Sequence, residues 1–150
     1  MSHPKKIFSD ADAAAIAHAI TEAEKTTAGE IRVGIRQRRT RGERKLTLEQ
    51  MARKEFHELG MTKTQGKTGI LIFLLLEDRQ FYILADEGIH SKVDEGTWAR
   101  IATEMSGHFS RKQFRDGVIF GVQSVGHVLS KHVPAGRKDP NELSNEVDIR

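Results

Sequence analysis

Seven consecutive apolar residues, Ile70 to Leu76, stand between Gly69 and the acidic pair Glu77 and Asp78. The run is far short of the roughly 20 residues that a membrane-spanning helix requires. With glycine before it and acids after it, it reads as a strand covered on both faces. Upstream, Glu30 to Arg36 alternates: Ile31, Val33 and Ile35 on one face, Glu30, Arg32 and Gly34 on the other. That is a second strand. A helical pattern lies between the two, and two strands joined by a helix favour a parallel, right-handed crossover.

The helices announce themselves by caps and by period. Ser9 and Asp12 frame the start of a first helix of about 15 residues that ends near Thr26, with Gly29 marking the turn out. Thr47 and Gln50 repeat the capping pattern, and Leu48, Met51, Ala52, Phe56 and Leu59 follow at helical spacing up to Gly60. Arg79 to Ala85 alternates again through Phe81, Ile83 and Ala85, so a hairpin at Glu77 and Asp78 returns the chain beside the apolar run. Two apolar stripes close the chain: Trp98, Ile101, Met105 and Phe109, then Phe114, Val118, Val122, Val125 and Leu129. The expected fold is an α/β three-layer sandwich, a central mixed sheet of about four strands with helices on both faces. Three strands are evident, and a short fourth is expected in a loop. The domain is expected over residues 1–136. Past Pro134 and Gly136, residues 137–150 read as a polar tail, docked in part or disordered.

Composition narrows the chemistry. Among 150 residues there is no cysteine, which excludes disulfides, thiolate metal sites, iron–sulfur clusters and a cysteine nucleophile. The formal net charge of +3 is local in origin. Arg36, Arg38, Arg39, Arg41, Arg44 and Lys45 fall in one short segment with a single acid, leaving 18 cations and 20 acids on the rest of the chain. Such a segment either attracts phosphorylated or other anionic ligands or is a solvated connection. It has no aromatic interleaving and no nucleic-acid fold around it, so nucleic acid is not the expected partner, and binding of nucleic acid or an anionic surface through residues 36–45 is the weakest of the alternative functions. The start lacks the unbroken apolar core of a signal peptide, and no apolar run spans a membrane, so a cytoplasmic protein is expected.

Counting outward from a two-residue hairpin, Leu76 pairs with Arg79 and Asp86 comes opposite Gly69. A parallel first pair of strands then brings Glu30 to the same sheet edge, with Thr68 beside it. Two carboxylates and a hydroxyl suit a hard cation, which prefers oxygen ligands, and Asp116 joins them if its helix packs that end over the edge. The plainer readings are that Asp86 caps a turn, that Glu30 pairs with Arg32 or Arg36, and that Asp116 answers a helix dipole. Other patterns fail on spacing. Gly66, Lys67 and Thr68 precede a strand instead of following one, with Met61 where a phosphate loop needs glycine. His57 and Glu58 likewise meet Met61 where a zinc protease needs histidine, and no GxSxG elbow exists.

Several segments together resemble the TPM domain family. They are TAGEIRVGIR at 27–36, the set Ala52, Phe56, Gly60, Met61 and Thr64, the strand GILIFLLL, ILADEGIHSKV from Ile83 to Val93 with Trp98, then Phe114, Asp116 and Gly117, and last Asn141, Glu142 and Leu143. The resemblance implies an α/β sandwich and a divalent cation, calcium rather than magnesium, held by acidic residues at one sheet edge. Glu30, Asp86 and Asp116 are the positions that match. It also implies one of two roles, since some members are described as acid phosphatases and others as assembly or repair factors. A phosphatase would hold its cation on those three carboxylates, contact phosphate through Arg32, Lys63 and Thr68, and use the basic segment to steer anionic substrate. A cation-binding interaction or assembly module needs the carboxylates alone, and this is the favoured expectation, with a protein or a phosphorylated ligand as partner. The signal peptide and anchor of many relatives are not read in this sequence.

Overall fold

A computed structural model describes residues 7–135 and 145–150. The expected docking of Asn141, Glu142 and Leu143 lies outside the described residues. Helix α1 (Asp10–Glu24) opens with a reciprocal box, Ser9 Oγ accepting the Asp12 N–H and Asp12 Oδ2 accepting the Ser9 N–H, each at 3.0 Å. Helix α2 (Leu48–Glu58) opens the same way through Thr47 and Gln50. Each box satisfies amide donors that a helix start leaves bare. Between the helices runs β1 (Glu30–Arg36), followed by a short 3-10 turn at Arg41–Glu43.

Strand β2 (Gly69–Leu75) lies parallel to β1, from Glu30 opposite Gly69 to Arg36 opposite Leu75. Strand β3 (Gln80–Ala85) returns antiparallel, from Leu75 opposite Gln80 to Ile70 opposite Ala85. This is the register expected from the sequence, although the connection differs. Leu76–Asp78 forms a 3-10 turn and Arg79 takes a left-handed conformation at φ 52, because Glu-Asp does not suit a two-residue turn. A short α3 (Glu87–His90), then α4 (Glu95–Ser110) and α5 (Phe114–His132) follow. The fourth strand is in the tail, not in a loop: β4 (Asp148–Ile149) adds parallel to β1, giving the order β3-β2-β1-β4.

Every residue of β2 is buried, which is why its sequence shows no polar face. Ile31, Val33, Ile35, Ile70, Ile72 and Leu74 face a core closed by α1, α4 and α5. Leu71, Phe73, Leu75 and Leu84 face Met51, Ala52 and Phe56 of α2, together with Met61. The expected three-layer arrangement is therefore the observed one. Glycine lets α5 come close to its neighbours. A Cβ on Gly126 would stand 2.7 Å from the Ala23 Cβ, and one on Gly121 would stand 2.7 Å from the Met105 sulfur.

Candidate functional site

Three places carry the chemistry that the sequence suggested or concealed. The first is the sheet edge at Gly69. Register puts Glu30, Gly69 and Asp86 in one row, because Glu30 pairs with Gly69 and the Asp86 N–H donates to the Gly69 carbonyl at 2.9 Å. All three belong to the face covered by α2, the face of Leu71 and Leu84. Glu30 is buried at 4% exposure. Asp86 is the N-cap of α3, its Oδ1 accepting the Glu87 N–H at 2.8 Å, so the turn-cap reading describes what it does.

Asp116 does not join them. Leu129, on the C-terminal part of α5, packs against Gly29 just before Glu30. Asp116 is 13 residues back along the same helix, which at 1.5 Å per residue places it about 20 Å from that end. It stands 3.4 Å from Arg115, which also reaches Asp12 at 3.6 Å. Among the described residues no group of three or more histidines and acids gathers to hold a metal ion. The ground between Glu30 and Asp86 is close-packed: a Cβ on Gly69 would stand 3.2 Å from the buried Met61 methyl, 3.8 Å from the Thr64 hydroxyl and 3.9 Å from the Met61 carbonyl. A calcium ion takes six to eight oxygen ligands, and Glu30, Asp86 and Asp116 do not fit that set. Of the expected phosphate contacts, Thr68 is buried beside Gly69, Lys63 is exposed at the end of a 3-10 turn, and Arg32 is half-buried on β1.

The second place is the basic segment, which is only partly a solvent-exposed loop. Arg36 ends β1 buried, 2.8 Å from Glu43 and 3.6 Å from Glu55. Arg39 donates to the Leu46 carbonyl and pairs with Asp78 at 2.9 Å and Glu77 at 3.4 Å. Arg38, Arg41, Arg44 and Lys45 remain exposed. Lys54 adds a 2.6 Å contact to Glu43, and Arg150, at the end of β4, reaches Glu55 at 2.7 Å. Burial raises the Glu43 pKa, but hydrogen bonds from Lys54, Thr40 and Arg36 prevail and hold it well below the usual carboxylate range. Glu55 moves the other way. Burial and a hydrogen bond with Asp148 push it up against the pull of Arg150. This network was missed in the sequence, although one signal was present: Glu55 lies four residues after Met51, on the apolar stripe of α2.

The third place is a groove of about 1160 Å³ along the free side of β3. Leu48, Phe56 and His57 of α2 form one wall, and Gly96, Trp98, Ala99, Ala102 and Ser106 of α4 form the other. Strand β3 is its floor, with Arg79 at one end and Asp86 and Glu87 at the other.

A family model for the TPM domain matches residues 1–128. The chain belongs to the TPM domain family. Among solved structures, the BA42 protein of Bizionia argentinensis is 30% identical over 95% of each chain, with a TM-score of 0.85. Two more distant structures share the fold. The N-terminal domain of cg2496 from Corynebacterium glutamicum is 15% identical over 90% of this chain and 81% of that one, with a TM-score of 0.62. An N-terminal domain from P. gingivalis is 21% identical over 85% and 79%, with a TM-score of 0.67. No curated protein matches. Among the described residues of this TPM domain, no helix is long and apolar enough to cross a membrane.

Proposed function

We propose that this TPM domain works as an interaction module whose binding surface is the groove along β3. The observation that carries this reading is the groove itself, a cavity with apolar and polar lining on a strand edge that no other strand covers among the described residues. Cavities of several hundred cubic ångströms with mostly apolar walls and a few polar groups are the usual form of binding sites.

The alternative, cation-assisted hydrolysis of phosphomonoesters, asks for residues that are otherwise engaged. Asp86 caps α3, Asp116 belongs to the far end of α5, and the Met61 methyl lies over Gly69. Panning a random peptide library on the wild type and on Ala99→Arg, which fills the groove from an exposed position, tests the reading. Peptides retained by the wild type and lost on the variant are expected. If retention is indifferent to Ala99→Arg while the wild type releases phosphate from p-nitrophenyl phosphate and Asp86→Asn does not, the hydrolase reading replaces this one.

A further inference from the structure

The edge that forms the floor of the groove has a definite hydrogen-bonding pattern. Because the Asp86 N–H donates to Gly69, residues 86, 84, 82 and 80 turn their backbone groups toward β2. Phe81, Ile83 and Ala85 therefore turn theirs outward, into the groove. The strand reads QFYILA, with no proline, glycine or charge to blunt it, and such an edge is a ready template for another strand. Opposite lie Gly96, Ala99, Ala102 and Ser106 of α4, whose small side chains keep the trough open along its length. Trp98, on the same wall, has an indole N–H with no acceptor among the described residues. The ends differ in charge. Arg79 is exposed at the start of β3, while Asp86, Glu87 and Glu95 gather at its finish, where Lys67 pairs with Glu87 at 2.9 Å and His90 with Glu95 at 3.3 Å.

We infer that the groove takes an extended peptide that adds to β3 as an antiparallel strand, its basic start beside Asp86, Glu87 and Glu95 and its acidic finish beside Arg79. The inference rests on the interaction reading above and names the kind of partner. An antiparallel segment begins at the Ala85 end, so a cation preceding it meets the three carboxylates and an acid following it meets the arginine. Backbone bonds to Phe81, Ile83 and Ala85 supply affinity that is largely independent of sequence, and the two walls select apolar or β-branched side chains at alternate positions. A single strand asks for less room than a second copy of the chain, whose β3 would carry its own α2 and α4 against these.

The probe is the acetylated, amidated peptide Lys-Val-Thr-Val-Thr-Val-Glu, compared with the same peptide N-methylated at the amides that face β3 and with the version whose end charges are exchanged. Binding is read by fluorescence anisotropy and by amide chemical shifts. The expected result is shifts centred on Phe81, Ile83 and Ala85. Affinity should fall about threefold to tenfold per methylated amide and about twofold to fivefold on charge exchange, with Arg79→Glu removing the preference for a terminal acid. Binding in the groove that ignores both N-methylation and charge order overturns strand addition while leaving the module reading in place. Concentration-dependent dimerisation through Phe81 to Ala85, read by sedimentation, overturns it in favour of a second copy. Absence of shifts at these three residues with every peptide overturns it outright. The module reading fails separately, through library peptides that are indifferent to Ala99→Arg.

Discussion

Along the β1 edge of the sheet, the Arg150 carbonyl accepts the Gln37 N–H at 2.9 Å and the Arg150 N–H donates to Ile35 at 2.7 Å, with Arg150 clamped to buried Glu55. Along the β3 edge, two helices line a trough and the outward backbone groups of Phe81, Ile83 and Ala85 face into it. The β1 edge is paired over a short stretch by β4 and tied down by a set of buried charges. The β3 edge has no strand beside it among the described residues. An unpaired strand edge must be covered, blunted or used, and the two edges of this sheet differ in how far that is done.

The largest effect should come from breaking the closed edge at its charge centre. Glu55→Ala leaves Arg36 and Arg150 without one of their carboxylates and should destabilise by about 3 kcal/mol, the low end for a broken buried pair. The low end applies because Arg36 keeps Glu43 and the Arg150 side chain is 43% exposed. Urea unfolding measures this. Faster hydrogen exchange at the Gln37 amide would place the damage at the β4 edge, and unchanged exchange there would detach Glu55 from that edge.

Truncation after Val147 removes both backbone bonds to Arg150 and the ion pair, and should destabilise by about 2 kcal/mol. The Glu30 to Gly69 end should keep its exchange protection. Acidity sharpens the same contrast. Glu55 holds its proton more tightly folded than unfolded, so the stabilisation it contributes is complete below the ordinary glutamate pKa and is lost as pH rises through its raised value. Glu43 is shifted down, so its contribution is present above the ordinary value and lost only as pH falls toward its depressed one. Unfolding free energies measured across pH should therefore decline over the window just above the ordinary glutamate range. That decline should vanish in Glu55→Gln; its persistence would move the titrating group elsewhere.

Smaller effects belong to the open edge. Asp86→Ala should destabilise by about 1 kcal/mol through loss of the α3 cap, whereas Asp86→Asn, an equally good cap, should be nearly neutral. Any rise of melting temperature with millimolar calcium should be the same in the wild type and in Asp86→Asn. A rise confined to the wild type would return Asp86 to a metal site. Smallest of all, Ala99→Arg on the exposed wall of α4 should change stability by less than about 0.5 kcal/mol while removing peptide binding. A large loss of stability would mean that the groove is part of the core.

How much was legible follows the range of the interactions. The boxes at Ser9 and Thr47, the stripes of α4 and α5 and the buried run of β2 are local patterns, and each was visible in a window of a dozen residues. Even the Gly69 and Asp86 pairing could be counted, because antiparallel pairing carries register along a hairpin, and the parallel crossover brings Glu30 to the same edge. The separation of Asp116 could not, since it depends on which way α5 crosses the sheet. Strand β4 could not either: two residues make no period, and their stability comes from Ile35, Gln37 and Glu55, more than ninety positions away in the chain.

By itself, then, the sequence determined the longer helices and three strands, the parallel crossover and the register of the β2–β3 hairpin, because caps, periods and hairpins act between near neighbours. Tertiary structure alone decided which charges of the Arg36 to Lys45 segment are buried, that Met61 packs against Gly69, and that the last residues pair with β1. Those outcomes depend on long-range packing, where the partner of a side chain is set by the paths of distant elements and not by the residues beside it.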